Sequence, residues 1–376
     1  MNKLLGAMKN SNFVRFSYFM ILCILLGVSI VSRVTFNGSF YNFDFGLFQP
    51  DGAHYTFRTL TFLGLSEIEA ATRVIDWYTL YSVDTKHLTV ESLIPASNPL
   101  WGLSLPRFVY PGLSILPVLF FGISGMLVIP IVSLIVVILV VQYLAVQSQK
   151  PVLGFLVCFV LLASPTFMRW MISNCTDSLL TGLFTAYLFM YSKNYNAVKK
   201  GLLTGILIFL TSFTRFCLPI WIAIFLAEFF FKRKKKALFS WMLLSFIASL
   251  PAVILQPGGN SAFLPERSGD DFFEKLLFLP ISFARIGFIE IAELAALDRM
   301  LLLLLAIGMF LAIKRWGSVE SVFFVSVFIS VWTLGALNGV LGVNFRYQMP
   351  LIPFMAWVII KGLPEVHISN FGRKQK

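Results

Sequence analysis

Charge is scarce in this sequence: 13% of its 376 residues are Asp, Glu, Lys or Arg, against a hydrophobic share of 58%. A freely soluble domain needs far more polar surface to stay dispersed, so that class is excluded. Cysteine occurs four times, at Cys23, Cys158, Cys175 and Cys217, in or beside apolar runs and with no paired spacing. Zinc ribbons and disulfide frameworks both need such pairing, so the thiols read as small core residues. Histidine occurs three times, and no His/Asp cluster at ligand spacing supports a metal. Short alternating strands of the outer-membrane barrel type are absent as well.

Apolar runs near the length of a bilayer span are abundant, and the mean hydropathy is +0.82. The pattern predicts an all-α, polytopic helical membrane protein of about 10–11 transmembrane helices, organised as a single transmembrane domain over 1–376. Spans are expected at about 14–32, 124–145, 152–170, 175–192, 199–214, 216–231, 237–255, 299–313, 319–341 and 347–363. The first run, "SYFMILCILLGVSIVS", lacks a small-residue cleavage site and reads as a retained helix.

The net charge of +12 does not point to nucleic acid, because the basic residues sit in short loops between spans. Placing both termini in the cytoplasm puts 18 of the 30 basic residues in inner segments, 14 of them lysine. Ten of the 12 outer basic residues are arginine, and 15 of the 18 acids face out. Arginine is the better planar, bidentate phosphate ligand, so this outer face suggests phosphate handling beside acid–base chemistry. The segment "RFVYPGLSILPVLFFG" (107–122) is apolar enough to cross, yet crossing would invert the charge sorting. It is expected to be a juxtamembrane or re-entrant piece on the outer face, broken by Pro111, Gly112 and Pro117.

Two outer loops, 33–123 and 256–298, are too long for connectors. Within the first, "SEIEAATRVIDWYTLY" opens on a capping box of Ser66 and Glu69. Ile68, Val74, Ile75 and Tyr78 follow at helical spacing, which predicts an amphipathic juxtamembrane helix with Trp77 and Tyr78 at headgroup depth. "DFFEKLLFLPISFARIGFIEIAELAALDRM" in the second loop has the same character. Upstream, "FQPDGAHYTFR" places Asp51, His54, Tyr55 and Arg58 together. Pro50 and Gly52 flank the acid, so "QPDGAHY" reads as a turn. A carboxylate presented there is partly desolvated, with a raised pKa suited to accepting a proton. On spacing alone, the plainer reading of a turn-capping Asp with interfacial His and Tyr is the stronger.

Further polar marks fall on the same face. They are Arg169 and Asp177 in "SPTFMRWMISNCTDSLL", Arg215 in "TSFTRFCLP", Arg346 and Tyr347 in "NGVLGVNFRYQMPLIP", and Arg107 with Tyr110 at the start of the re-entrant piece. Charges at helix ends are individually bland, but their convergence on one face is less so.

With these marks in order, the chain resembles the GT-C superfamily of integral membrane glycosyltransferases, which use polyprenyl-phosphate-linked sugars. The resemblance rests on "PDGAHY" after the first helix, the amphipathic helix, "PRFVYPGLS", "ASPTFMRWMISNCTD", "TRFCLP" and "NFRYQMPLIPF". It implies that Asp51 is the catalytic base and Asp177 a second acid. It also implies that Arg215 and Arg346, with Tyr347, hold the lipid phosphate leaving group. Many members pair two acids in the first loop, whereas Gly52 follows Asp51 here, which leaves metal dependence open. His54, Tyr55, Arg58, Arg107, Tyr110 and Arg169 are the further substrate-binding candidates. The expected partners are a polyprenyl-phosphate-sugar donor, a glycan, lipid or protein acceptor, and membrane lipids, with no resident cofactor. The setting is a multi-pass protein of a bacterial cytoplasmic membrane. A transporter or flippase would place charges mid-membrane and show internal repeats. An O-antigen ligase or polymerase would carry its long loop late, and a scaffold would need no opposed acids and arginines.

Overall fold

A computed structural model describes residues 20–31, 48–81, 88–94, 107–193, 195–215, 217–231, 243, 247, 272–338 and 345–364. Among these residues all regular structure is helical. The first elements are α1 (Met20–Val31), α2 (Pro50–Phe62), α3 (Glu67–Tyr81) and the single turn α4 (Val90–Leu93). There follow α5 (Val109–Phe121), a 3₁₀ segment (Gly122–Leu127), α6 (Val128–Gln147), α7 (Pro151–Ala163) and α8 (Pro165–Ile172). Next come α9 (Thr176–Ser192), α10 (Ala197–Ser212) and α11 (Leu218–Phe231). The chain closes with α12 (Phe272–Leu297), α13 (Arg299–Lys314), α14 (Val319–Asn338), a 3₁₀ turn (Met349–Leu351) and α15 (Ile352–Gly362). The span expected at 237–255 lies outside the described residues, apart from helical Leu243 and Ile247.

Two helical runs, Val109–Gln147 and Val319–Ala336, are long and apolar enough to cross a membrane, and the bent pair α7–α8 makes a third if counted as one span. These fit an integral membrane protein. At the centre stands α15, whose residues 352–360 are all buried, as expected of a helix apolar on every side. It packs against α6, α9, α13 and α14, while α6 lies along α9 and α11 along α14. The bundle has two distinct ends. One gathers the α6–α7 turn with the end of α15, where Lys150 Nζ donates to the Ile360 carbonyl at 2.9 Å and to that of Leu363. The ammonium satisfies carbonyls that the helix leaves without partners. The other end gathers residues 49–55, 173–177, 213–215 and 345–348.

Residues 152–170 are not one straight helix. The chain bends by 76° between α7 and α8. Pro165 forces the cause: it has no N–H to give, and it drives Ser164 out of helical geometry, to ψ 115°. Ser164 then caps α8 by accepting from the Phe167 N–H at 3.0 Å, and its hydroxyl donates to Asp298 at 2.5 Å. Residues 109–127 form a hairpin rather than a straight helix. Tyr110 donates its hydroxyl to the Met126 carbonyl at 2.8 Å, 16 residues on. A continuous helix would hold such residues about 24 Å apart. The reversal occurs at Gly122, whose φ of +61° favours glycine. Gly125 then packs so closely on the Pro117 backbone that a Cβ would meet its carbonyl oxygen.

The α3 helix forms as its pattern requires, and the Glu69 N–H reaches the Ser66 hydroxyl at 3.3 Å. Tyr78 departs from expectation. It is fully buried, not at the periphery, because Thr56 (3.1 Å) and Asn174 both bond its hydroxyl. That contact fixes α3 against α2.

Asp298 joins three elements. Its carboxylate accepts from the Ser164 hydroxyl, from the Thr166 N–H at 3.0 Å and, as the N-cap of α13, from the Leu301 N–H at 3.0 Å. The side chain is buried. Asp298→Ala therefore leaves three donors without an acceptor and is expected to cost about 2–4 kcal/mol. The check is thermal unfolding of the detergent-purified protein; a Tm unchanged from wild type would remove Asp298 from its joining role.

Candidate functional site

The site begins with the start of α2. Gln49 is extended, Pro50 takes the first helical position and Asp51 follows in the first turn. Proline suits that position because its missing N–H is one the helix leaves unpaired anyway, and an acid there complements the helix dipole. The stretch expected to be an irregular turn is thus the first turn of a helix. Asn174 anchors it by accepting from the Gln49 N–H at 2.8 Å. A Cβ on Gly52 would sit 2.2 Å from the Asn174 side-chain nitrogen. Glycine follows Asp51 because nothing larger fits against Asn174.

Four charged side chains from four separate segments meet here. Arg346 Nη1 donates to Asp51 Oδ2 at 2.5 Å, and its Nε donates to Asp177 Oδ2 at 2.9 Å. Arg215 Nη1 donates to the other oxygen of Asp177. The result is an alternating chain, Asp51–Arg346–Asp177–Arg215, with no net charge. Burial falls unevenly along it: the Asp177 side chain is 1% exposed, Arg346 14% and Asp51 61%. Taking either arginine from buried Asp177 would leave an uncompensated charge, a loss of about 3–5 kcal/mol. Asp51, by contrast, stays in reach of solvent and of a second molecule.

Aromatic faces carry the cations. The Arg215 guanidinium lies 4.4 Å from the Tyr347 ring centroid. Those of Arg169 and Arg346 lie 4.8 and 5.0 Å from the centroid of the Trp170 ring. Arg107 Nη1 donates to the Tyr55 hydroxyl at 3.0 Å, while its buried Nε has no partner. Tyr110 packs edge-on against Tyr55, but its hydroxyl is committed to the hairpin. His54 lies half-buried one turn beyond Asp51, and Arg58, another turn on, sits over Phe62 at 5.4 Å.

The electrostatics of Asp51 run opposite to expectation. Arg346 beside it holds its carboxyl below the usual carboxylate range; burial opposes this, and Arg215 and Arg107 add to it. Burial pushes His54 below its ordinary value, against the pull of Asp51. For Arg346 burial is the largest influence and lowers the pKa, but Asp51, Cys175 and Tyr347 together outweigh it and the guanidinium is raised.

Two residues with no part in the sequence reading hold the site together. Asn174 is one. Glu290 of α12 is the other: it accepts from the Phe345 N–H at 2.5 Å and holds that residue at φ +63°, the turn that presents Arg346. Glu290 shares a buried stripe with Ile286, Leu294 and Asp298. Their four-residue spacing was a visible signal of acids aimed inward. Among the described residues no group of three His, Cys, Asp or Glu side chains is placed to hold a metal ion.

Comparisons with family models, with curated proteins and with solved structures return no match for this chain. The site's geometry makes one local demand that can be tested directly. Gly52→Ala should push α2 off Asn174 and lower stability by about 1–3 kcal/mol, the usual loss for overpacking. Unfolding of the variant checks it, and an unchanged Tm would show that Asn174 does not lock the helix.

Proposed function

We propose that this chain is a membrane glycosyltransferase, moving a sugar from a polyprenyl-phosphate donor to an acceptor hydroxyl on the extracytoplasmic side. The observation that carries the reading is the Asp51–Arg346–Asp177–Arg215 chain, which sets one accessible carboxylate beside guanidiniums from two other segments. In the reaction, the acceptor oxygen bonds to the anomeric carbon as its proton passes to Asp51. The bond from that carbon to the phosphate oxygen breaks, and the lipid phosphate leaves with the electron pair. Arg346 and Arg215 stabilise the charge that gathers there, where fixed donors act without reorganising. Arg107 and Arg169 enlarge the positive field, and buried Asp177 orients both clamp arginines.

The setting follows from the same features. The Lys150 end of the bundle faces the cytoplasm and the charged chain faces out. The hairpin of α5 dips into the outer leaflet with Leu116, Leu119, Phe120 and Phe121 exposed to lipid, and α5 alone, about 20 Å long, is too short to cross. The polyprenyl tail lies along such apolar helix faces, and the acceptor hydroxyl belongs to a lipid, glycan or protein.

Asp51→Asn keeps shape and hydrogen bonding but cannot take the proton, so purified protein should lose about 10²–10⁴ in transfer rate with expression intact. Arg346→Lys, which loses the planar fork, should already weaken donor use. Transfer by Asp51→Asn at the wild-type rate would sink the reading.

Topology has its own check. A Cys23→Ser, Asn196→Cys variant removes the exposed native thiol and places another in the α9–α10 turn. In intact cells an impermeant thiol reagent should leave it unlabelled until the membrane is opened. Labelling from outside would reverse the assigned sidedness.

A further inference from the structure

The carboxylate assigned to proton transfer is engaged in this structure. Asp51 occupies Nη1 of Arg346, the same guanidinium that the transferase reading assigns to the donor phosphate. Arg346 has other N–H groups, but a phosphate that takes the Nη1 edge held by Asp51 must displace it. We infer that Asp51 is a place-holder: it occupies Arg346 until the lipid-linked phosphate displaces it, so that the base is freed only once donor is bound. This rests on the function proposed above and adds an order of events to it.

Geometry decides which partner of Arg346 yields. Asp177 is buried and gripped a second time by Arg215, so parting it from Arg346 would shift the equilibrium several hundredfold against the open state. Asp51 is 61% exposed and, among the described residues, its one ion pair is with Arg346, so water can take it up. Breaking an exposed pair shifts an equilibrium by under about tenfold. A phosphate oxygen offers Arg346 a stronger charge-assisted bond than the carboxylate does. It therefore displaces Asp51 and leaves Asp177 in place.

Displacement also changes the acid. The charged and titratable groups around Asp51 include Arg346, Arg215, Arg107, His54, Cys175 and Tyr78. While Arg346 pairs with it, its carboxyl stays below the ordinary range and it is a weak base. When a phosphate takes Arg346 and brings negative charge alongside, the carboxyl rises, and its appetite for the acceptor's proton rises with it. An acceptor that arrives first finds the base occupied.

The test is binding, which needs no sugar and no turnover. Farnesyl phosphate is titrated into the full chain in nanodiscs, by calorimetry, for wild type, Asp51→Asn, Asp51→Ala and Arg346→Gln, with inorganic phosphate as a second probe. Removing the competing carboxylate should tighten farnesyl phosphate binding about threefold to tenfold in both Asp51 variants. Arg346→Gln should weaken it at least tenfold, and inorganic phosphate should bind more weakly than the prenyl ester throughout. An ion pair that merely braces the site predicts the opposite sign, since its loss would loosen Arg346 and weaken binding. Equal or weaker binding by both Asp51 variants, with wild type binding well, would overturn the place-holder and leave the transferase reading standing. No farnesyl phosphate binding by any form would remove the donor assignment itself, and the place-holder with it. Equal affinity for inorganic phosphate would show a site for free anion and overturn the lipid-linked displacement.

Discussion

One guanidinium shared between two carboxylates is the constraint on which this end of the molecule depends. Arg346 cannot serve Asp51 and Asp177 together unless α2, the start of α9 and the turn before α15 are all held within a side chain's reach. The rest of this end is organised around that demand. Glu290 sets the backbone of the turn, Asn174 seats α2, and Asp298 ties α8 to α13 where the chain bends at Pro165. Each is a buried polar side chain whose cost is offset by backbone N–H groups that would otherwise lack an acceptor.

The division of labour between the two acids follows from burial rather than residue type. Asp177 is enclosed and doubly paired, so it acts as a fixed counter-charge that aims two arginines. Asp51 has the same chemistry at the rim of the cluster, where its partner can be exchanged. A similar contrast separates the two tyrosines near Arg107. Tyr55 meets the cation, while Tyr110 spends its hydroxyl on closing the α5 hairpin.

Helix positions were legible in the sequence because long apolar runs leave few alternatives: 175–192 and 299–313 lie almost where α9 and α13 form. The polar marks were legible too, since a lone Asp or Arg amid such runs stands out, and Asp51, Asp177, Arg215 and Arg346 do come together. What failed depended on distant partners. Pro50 and Gly52 suggested a turn, but proline also opens helices, and only the position of Asn174 explains the glycine. The carboxyl of Asp51 was expected to be raised by desolvation. Nothing local reveals that an arginine 295 residues away reverses the sign. Proline and glycine in 107–122 pointed to an interrupted piece, yet the fold-back at Gly122 is visible only once Tyr110 is seen to reach Met126.

That separation of 295 residues has a bearing on biogenesis. At a synthesis rate of roughly 5–20 residues per second, Asp51 leaves the ribosome about 15–60 s before Arg346 does. Through that interval the acid has no counter-ion from the last turn, and the first helices must settle without it. The charged chain closes only once residue 346 is in place, so a product that stops short of it carries no assembled site.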